Sequence, residues 1–198
     1  MTESFGFVDK IVYINLAQRK DRDQHIRAQL KQVGIPDNKI VRFDAIKHDR
    51  GQIGCTLSHI AVLKMAIREG WSNMLVLEDD ALWSSFESGY KIFLESWASH
   101  DVVVLGGTAP VYKDTKLISC LTTTGYFLKK PYYETLLENF EKGLEGLRKG
   151  LGNAYAVDTF WHSLMVKDSW TLIRPSLIIQ KPGYSDICKG YMNYSGLF

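Results

Sequence analysis

The sequence predicts an α/β fold, a Rossmann-like three-layer sandwich with a mostly parallel central sheet and helices on both faces. Three observations carry that prediction. Short β-branched runs alternate with helical stretches from residue 10 to residue 107, glycine or proline closes most of them, and one apolar run, Met74 to Leu77, leads directly into three consecutive carboxylates. Ligands of such sheets bind at the carboxyl ends of strands, so polar residues that follow a strand are the first candidates for a site.

Lys10 to Asn15 is a β-branched and aromatic run and reads as a first buried strand. Ile26, Leu30 and Val33 then recur at spacings of four and three, which predicts a helix from about Asp21 to Val33, stopped by Gly34 and Pro36. Lys39 to Phe43 is the second strand. From Gly51 to about Glu69, Leu57, Ala61 and Met65 with Ile60, Leu63 and Ile67 give a long helix a broad apolar face, and Gly70 ends it. After the acidic strand, Ser84 and Glu87 have capping-box spacing ahead of a helix through about Trp97. Asp101 to Leu105 is another buried strand, closed by Gly106 and Gly107.

The pattern loosens beyond that point. Ile118 to Leu128 reads as extended chain interrupted by Thr122-Thr-Thr-Gly125, and a helix follows from about Tyr132 to Leu147. Gly143, Gly146, Gly150 and Gly152 make a loose connection, Asp158 starts a short helix to about Val166, and Trp170 to Gln180 supplies one or two strands. No internal repeat, low-complexity tract or linker divides the chain, so residues 1–198 read as one domain.

A chain of 198 residues with 45% apolar content can bury a full core without staples. Its 24 basic and 22 acidic residues leave no strong field, which argues against a nucleic-acid partner. Cys55, Cys120 and Cys188 are odd in number and far apart, unlike a disulfide framework or a zinc pattern. Residues 1–7 show no charged leader followed by an apolar stretch, and no run approaches the roughly 18 apolar residues of a membrane span. The expected location is therefore cytoplasmic, peripheral to a membrane only through an acceptor. No pattern sets the oligomeric state.

Glu78, Asp79 and Asp80 would repel one another, and alternation across a strand points Glu78 and Asp80 the same way. A divalent cation relieves that repulsion. Hard oxygen donors select Mg²⁺ or Mn²⁺, which commonly share their coordination with a substrate's phosphates. The competing reading is a solvated, charged strand end.

Two further segments flank this one. Asn15-Leu-Ala-Gln-Arg-Lys-Asp-Arg22 places Arg19 and Arg22 just after the first strand, where they either hold a nucleotide or pair with Asp21 or Asp23. Gly51-Gln-Ile-Gly-Cys-Thr-Leu-Ser-His59 puts Ser58 and His59 near permissive glycines where a ligand can approach closely. Taken alone, His59 reads as a satisfied core histidine and Cys55 as a small buried packing residue. Neither Gly-x-Gly-x-x-Gly nor a P-loop is present, which argues against dinucleotide oxidoreductases and P-loop ATPases.

In this order the segments resemble glycosyltransferase family 25, the lipopolysaccharide and procollagen galactosyltransferase group. The resemblance rests on Val12-Tyr-Ile-Asn-Leu16 with Arg19 and Asp21-Arg22, Phe43-Asp-Ala45, Gly54-Cys-Thr-Leu-Ser-His59, Leu75-Val-Leu-Glu-Asp-Asp-Ala81, Gly125-Tyr126, Val157-Asp158 and Ser185-Asp186-Ile187. Gln52 departs from it, standing where many relatives carry glutamate.

The resemblance implies a GT-A type fold, with a nucleotide-sugar half over about 1–107 and an acceptor half over about 108–198. It also implies a UDP-sugar donor, Mn²⁺ or Mg²⁺ bridging the diphosphate, and inverting transfer of a hexose to a glycan or glycoprotein hydroxyl. Asp80 is then the leading metal ligand, Glu78 the second, and Asp79 the contact to ribose or donor sugar. Asn15, Leu16, Arg19, Arg22, Asp44, Ser58 and His59 complete the donor side. Asp158 is the expected general base, with His162 four residues on to orient it or reach the metal, unless Asp158 is merely a helix cap. Asp186 is the alternative base. Tyr126 and Trp161 are the expected acceptor contacts. A phosphohydrolase using the same carboxylates, or an inactive relative that binds without turnover, are the competing functions.

Overall fold

The computed structural model describes residues 5–194 and 196–198. Residues 1–4, on which part of the leader reading rests, lie outside that range. The first half runs β1 (Lys10–Asn15), α1 (Lys20–Gln32), β2 (Ile40–Asp44), α2 (Gly51–Glu69), β3 (Asn73–Glu78), β4 (Ala81–Trp83) and α3 (Phe86–Ser96). The second half runs β5 (Val102–Lys113), β6 (Lys116–Lys129), α4 (Tyr133–Arg148), α5 (Val157–Phe160), α6 (His162–Lys167), β7 (Trp170–Leu172), β8 (Ile178–Gln180), β9 (Gly183–Ser185) and β10 (Gly190–Met192).

A six-stranded sheet in the order β2-β1-β3-β6-β5-β7 forms the middle layer. β1 pairs in parallel with β2 and β3, and β5 with β7, while β6 runs antiparallel between β3 and β5. Five of the six strands therefore point one way. Strand alternation divides the core in two. Val12, Ile14, Met74 and Val76 face Leu63 of α2 and Phe140 of α4, whereas Ile11, Tyr13, Leu75 and Leu77 face Ile26 and Leu30 of α1 and Phe93 of α3. The predicted three-layer α/β sandwich is the observed one.

The helices of the first half form where apolar periodicity places them. Gly70 ends α2 in the left-handed conformation, φ 73°, and its N–H returns to the carbonyls of Ala66 and Ile67. The expected capping box does not form. α3 starts at Phe86 with no side-chain cap, because the Ser84 N–H is drawn to the carbonyl of Leu177 instead.

Gly106 and Gly107 do not close β5, which continues to Lys113 in a long hairpin with β6. Gly106 is required there because a Cβ would overlap the carbonyl of Ile178. β6 is one strand despite Thr122, whose φ of 73° coincides with a stretch of shifted register against β5. The expected helix from Asp158 is broken at Trp161 into α5 and α6, so Asp158 and His162 do not share a continuous helix face. The break is pinned by Cys120, whose carbonyl accepts from Trp161 Nε1 at 3.0 Å and lies 2.9 Å from His162 Nε2.

Past β7 the chain leaves the central sheet. β8 pairs with β4, and β9 pairs with β10 in a hairpin that sequence periodicity did not suggest. No helix among the described residues is long and apolar enough to cross a membrane.

Candidate active site at the acidic turn

A cleft of about 350 Å³ opens at the carboxyl ends of β1 and β3. Its walls are Ile14 and Leu16 after β1, the Ala45–Asp49 loop, the first turns of α2, the acidic turn, and Gln180 with Ser185–Ile187 and Lys189. Gly54 lets α2 sit against that loop, since a Cβ would come within 2.6 Å of the Ile46 carbonyl. Ser58 ties the same contact together, donating to Gly54 O at 2.7 Å and accepting from the Ile46 N–H at 2.9 Å.

The strand ends at Glu78, and Asp79 and Asp80 form a turn. Strand alternation therefore stops before Asp80, and the three carboxylates take their hydrogen-bond partners from different elements. Asp79 and Asp80 share Arg22, whose Nη1 lies 2.7 Å from Asp79 Oδ1 and 2.9 Å from Asp80 Oδ2. Glu78 instead accepts from Thr123 Oγ1 at 2.6 Å, with His59 Nε2 at 3.8 Å. Asn15 fixes the other Asp79 oxygen at 2.7 Å, and Gln180 Nε2 donates to Asp80 Oδ2 at 3.0 Å. The Lys181 N–H binds the Asp80 carbonyl at 2.8 Å, anchoring the turn from the C-terminal side.

One oxygen is left over. Asp80 Oδ1 is buried and has no hydrogen-bond partner, an arrangement that costs free energy unless a cation or donor faces it. Burial, and then the charge of Glu78, push the Asp80 carboxyl up to about 7 against the pull of Arg22. Burial also raises Asp79 despite Arg22. For Glu78, burial acts upward, but His59 and the Thr123 hydroxyl outweigh it and hold the carboxyl below its ordinary value. A hard cation fits this donor set: its charge would stabilise the ionised form of Asp80 and meet the bare Oδ1.

Of the residues expected on the donor side, Leu16, Arg22, Ser58, His59, Glu78 and Asp79 line the cleft, as do Asp80 and Asp186. Asn15 and Arg19 act from behind the wall. Arg19 binds Asp21 at 2.9 Å and Asp186 at 2.5 Å, while Arg22 Nη2 donates to the Tyr184 carbonyl at 2.9 Å. Arg22 thus pairs with the acidic turn rather than with Asp21 or Asp23. Asp44 lies off the cleft, exposed and paired with Arg42 at 2.9 Å.

Asp158 also lies off the cleft wall. Its side chain is not a cap, since Ala156 is the N-cap of α5, and its Oδ2 accepts from the Thr122 N–H at 3.2 Å. Burial raises its carboxyl, with a further push from the charge of Glu78. His162 is committed to the Cys120 carbonyl and does not reach the acidic turn. Tyr126 and Trp161 are both fully buried in the core, so neither contacts an acceptor; Tyr126 holds His59 Nδ1 at 2.8 Å. Cys55 is a packed thiol pushed well up by burial, which suits its reading as inert toward nucleophilic chemistry.

Sequence reasoning missed Thr123 and Gln180. Antiparallel pairing of β6 with β3, in which Leu77 faces Gly125, is what brings Thr123 to Glu78, and no local pattern announces that pairing. Gln180 lies 100 residues from its partner Asp80.

Residues 48–121, which carry α2 and the acidic turn, match the family model described as glycosyltransferase family 25 (LPS biosynthesis protein). Among solved structures, the fold is similar to that of a glycosyltransferase involved in the glycosylation of the major capsid of PBCV-1. The two are 9% identical, with a TM-score of 0.56 over 84% of this chain and 81% of that one. The nucleoside-diphosphate-sugar pyrophosphorylase from Vibrio cholerae RC9 is 16% identical, with a TM-score of 0.45 over 85% of this chain and 75% of that one. No curated protein matches the chain. The fold is thus an α/β fold similar to that of a glycosyltransferase, and the matched segment lies within it. The chain's family resemblance is to glycosyltransferase family 25, over the segment that supplies the α2 wall and the acidic turn of the cleft.

Proposed function

We propose that the protein transfers a hexose, galactose or glucose, from a UDP-sugar to a hydroxyl of a glycan or glycoprotein acceptor, in a metal-dependent inverting displacement. The observation that carries this reading is Asp80, a cleft-lining residue in the turn after β3 whose buried Oδ1 has no hydrogen-bond partner. Asp80 and Glu78 are the residues that would hold Mn²⁺ or Mg²⁺. When bound there, the ion neutralises charge on the leaving diphosphate.

The chain's own residues do the rest. Arg22, on the cleft wall, offers its guanidinium charge to phosphate oxygens, Arg19 supports the donor side from behind through Asp186, and Asp79, fixed by Asn15, faces the ribose or donor sugar. Leu16, Ser58 and His59 complete the donor wall. A carboxylate takes the acceptor hydroxyl's proton as the new C–O bond forms and the diphosphate departs. Asp158 is the proposed base, because burial and the neighbouring Glu78 raise its basicity. Asp186 lines the cleft but is committed to Arg19.

Titration of UDP-sugars with Mn²⁺ or Mg²⁺ into wild type and Asp80→Ala tests the donor side. Binding that needs the metal and is lost in Asp80→Ala supports the reading; metal-independent UDP binding, or none, counts against it. Asp158→Asn should keep donor binding and lose transfer. Transfer near the wild-type rate in that variant would pass the base assignment to Asp186.

A further inference from the structure

We infer that Cys55, His59 and Glu78 form a separate binding site for a borderline or soft divalent cation of the Zn²⁺ class. Their donor atoms, a thiol sulfur, an imidazole nitrogen and a carboxylate oxygen, all lie within 4.8 Å of one another. Cys55 and His59 stand four residues apart on α2 and so share a helix face, while Glu78 reaches them from the end of β3. Donor atoms that close to one another can surround a single ion, for which zinc's bonding distances are roughly 2.0–2.3 Å.

The chemistry of this trio differs from that of the acidic turn. Sulfur and imidazole donors select Zn²⁺ or Co²⁺ over Mg²⁺, whereas the all-oxygen position at Asp80 and Glu78 selects the harder ions. Two of the three ligands are already oriented from behind, as ligands in metal sites usually are. Tyr126 occupies His59 Nδ1 at 2.8 Å, leaving Nε2 to face Glu78 at 3.8 Å. Thr123 holds Glu78 Oε1 at 2.6 Å. All three residues line the cleft, so an ion can enter from solvent and keep a coordination position toward it. Binding forms the sulfur–metal bond and releases the thiol proton to solvent.

Binding here does not depend on the transferase reading. A second consequence does: Glu78 is common to both positions, so a soft ion on the trio withdraws it from Asp80 and inhibits transfer.

Co²⁺ titrated into the full-length, metal-free protein is the probe. The expected result is a saturable thiolate-to-cobalt charge-transfer absorption, displaced by Zn²⁺ and not by Mg²⁺. Cys188→Ser, in the exposed C-terminal segment, keeps it, and Cys55→Ser abolishes it. Tyr126→Phe weakens Zn²⁺ binding by about 10–100-fold, the usual effect of losing such a supporting group. Circular dichroism verifies that Cys55→Ser is folded, and His59→Gln replaces it if it is not. Absorption that survives Cys55→Ser or His59→Gln, disappears in Cys188→Ser, or never forms overturns the inference. None of these readings involves UDP-sugar, so failure of the cation site and failure of the transferase proposal are separate results.

Discussion

Arg22 lies 2.9 Å from Asp80 Oδ2, so the acidic turn already contains a cation, contributed by the first βα connection. The same Nη1 is 2.7 Å from Asp79 Oδ1. One guanidinium therefore balances two buried carboxylates, and the bare oxygen of Asp80 is what remains of their demand for positive charge.

Arg22→Gln should therefore destabilise the metal-free protein by about 3 kcal/mol, the scale for removing one partner of a buried ion pair. Mn²⁺ should restore most of that loss and bind the variant more tightly than it binds wild type, because a competing cation is gone. Urea unfolding with and without Mn²⁺ measures both effects. A variant as stable as wild type without metal would show that Arg22 is not the balancing charge.

Asp80 predicts a pH dependence. Its folded-state pKa of about 7 lies above the ordinary 3.8, so folding favours the neutral acid. That contribution is complete below about pH 4 and is lost as pH rises through about 7. Asp80→Asn does not titrate, so the melting temperature of wild type relative to this variant should fall across that window in metal-free buffer. Added Mn²⁺ should flatten the fall by favouring the ionised carboxylate. A difference that stays constant with pH would rule out the raised pKa.

Gly54→Ala should cost about 1–3 kcal/mol, as overpacking does, because its methyl meets the Ile46 carbonyl and the His48 backbone rather than a flexible side chain. The Ala45–Asp49 loop must then move outward. Donor binding should weaken along with stability, read by thermal unfolding and by titration of UDP. Gly34→Ala is the control for strain without steric conflict, since nothing lies within 4 Å of its Cβ position and only its φ of 74° opposes the change.

Thr123→Val removes the hydroxyl that donates to Glu78 at 2.6 Å. A hydrogen bond to a charged group contributes about 1.5–3 kcal/mol, so the variant should unfold at correspondingly lower urea. If Thr123→Val matches wild type, Glu78 is held by other groups.

The layered core and the acidic turn were legible because their signals are local. Ile26, Leu30 and Val33 carry helical periodicity within one element, and Glu78, Asp79 and Asp80 follow an unbroken apolar strand. What escaped was set by pairing between distant segments. The strand ends at Glu78, so the partners of the next two residues, with Arg22 shared between Asp79 and Asp80, come from the turn rather than from strand alternation. The spacing of Asp158 and His162 predicts a shared helix face, but Trp161 and His162 both turn to the Cys120 carbonyl, where the helix breaks. Tyr126 and Trp161 fit sugar platforms by residue type alone, but Tyr126 is a core residue because β6 lies inside the sheet, and Trp161 is buried against β6 with its Nε1 on the Cys120 carbonyl.

The cleft's outer wall has a consequence for how the site comes into being. Gln180, Tyr184 and Asp186 meet Asp80, Arg22 and Arg19 across 100, 162 and 167 residues of chain. During synthesis, β1, β3 and the acidic turn leave the ribosome long before these partners exist. The nascent chain can thus build most of its sheet while the turn has only Arg22 and Asn15 to balance and hold it. Assembly of the complete site is a late event in biogenesis, timed by emergence of the residues from Gln180 onward.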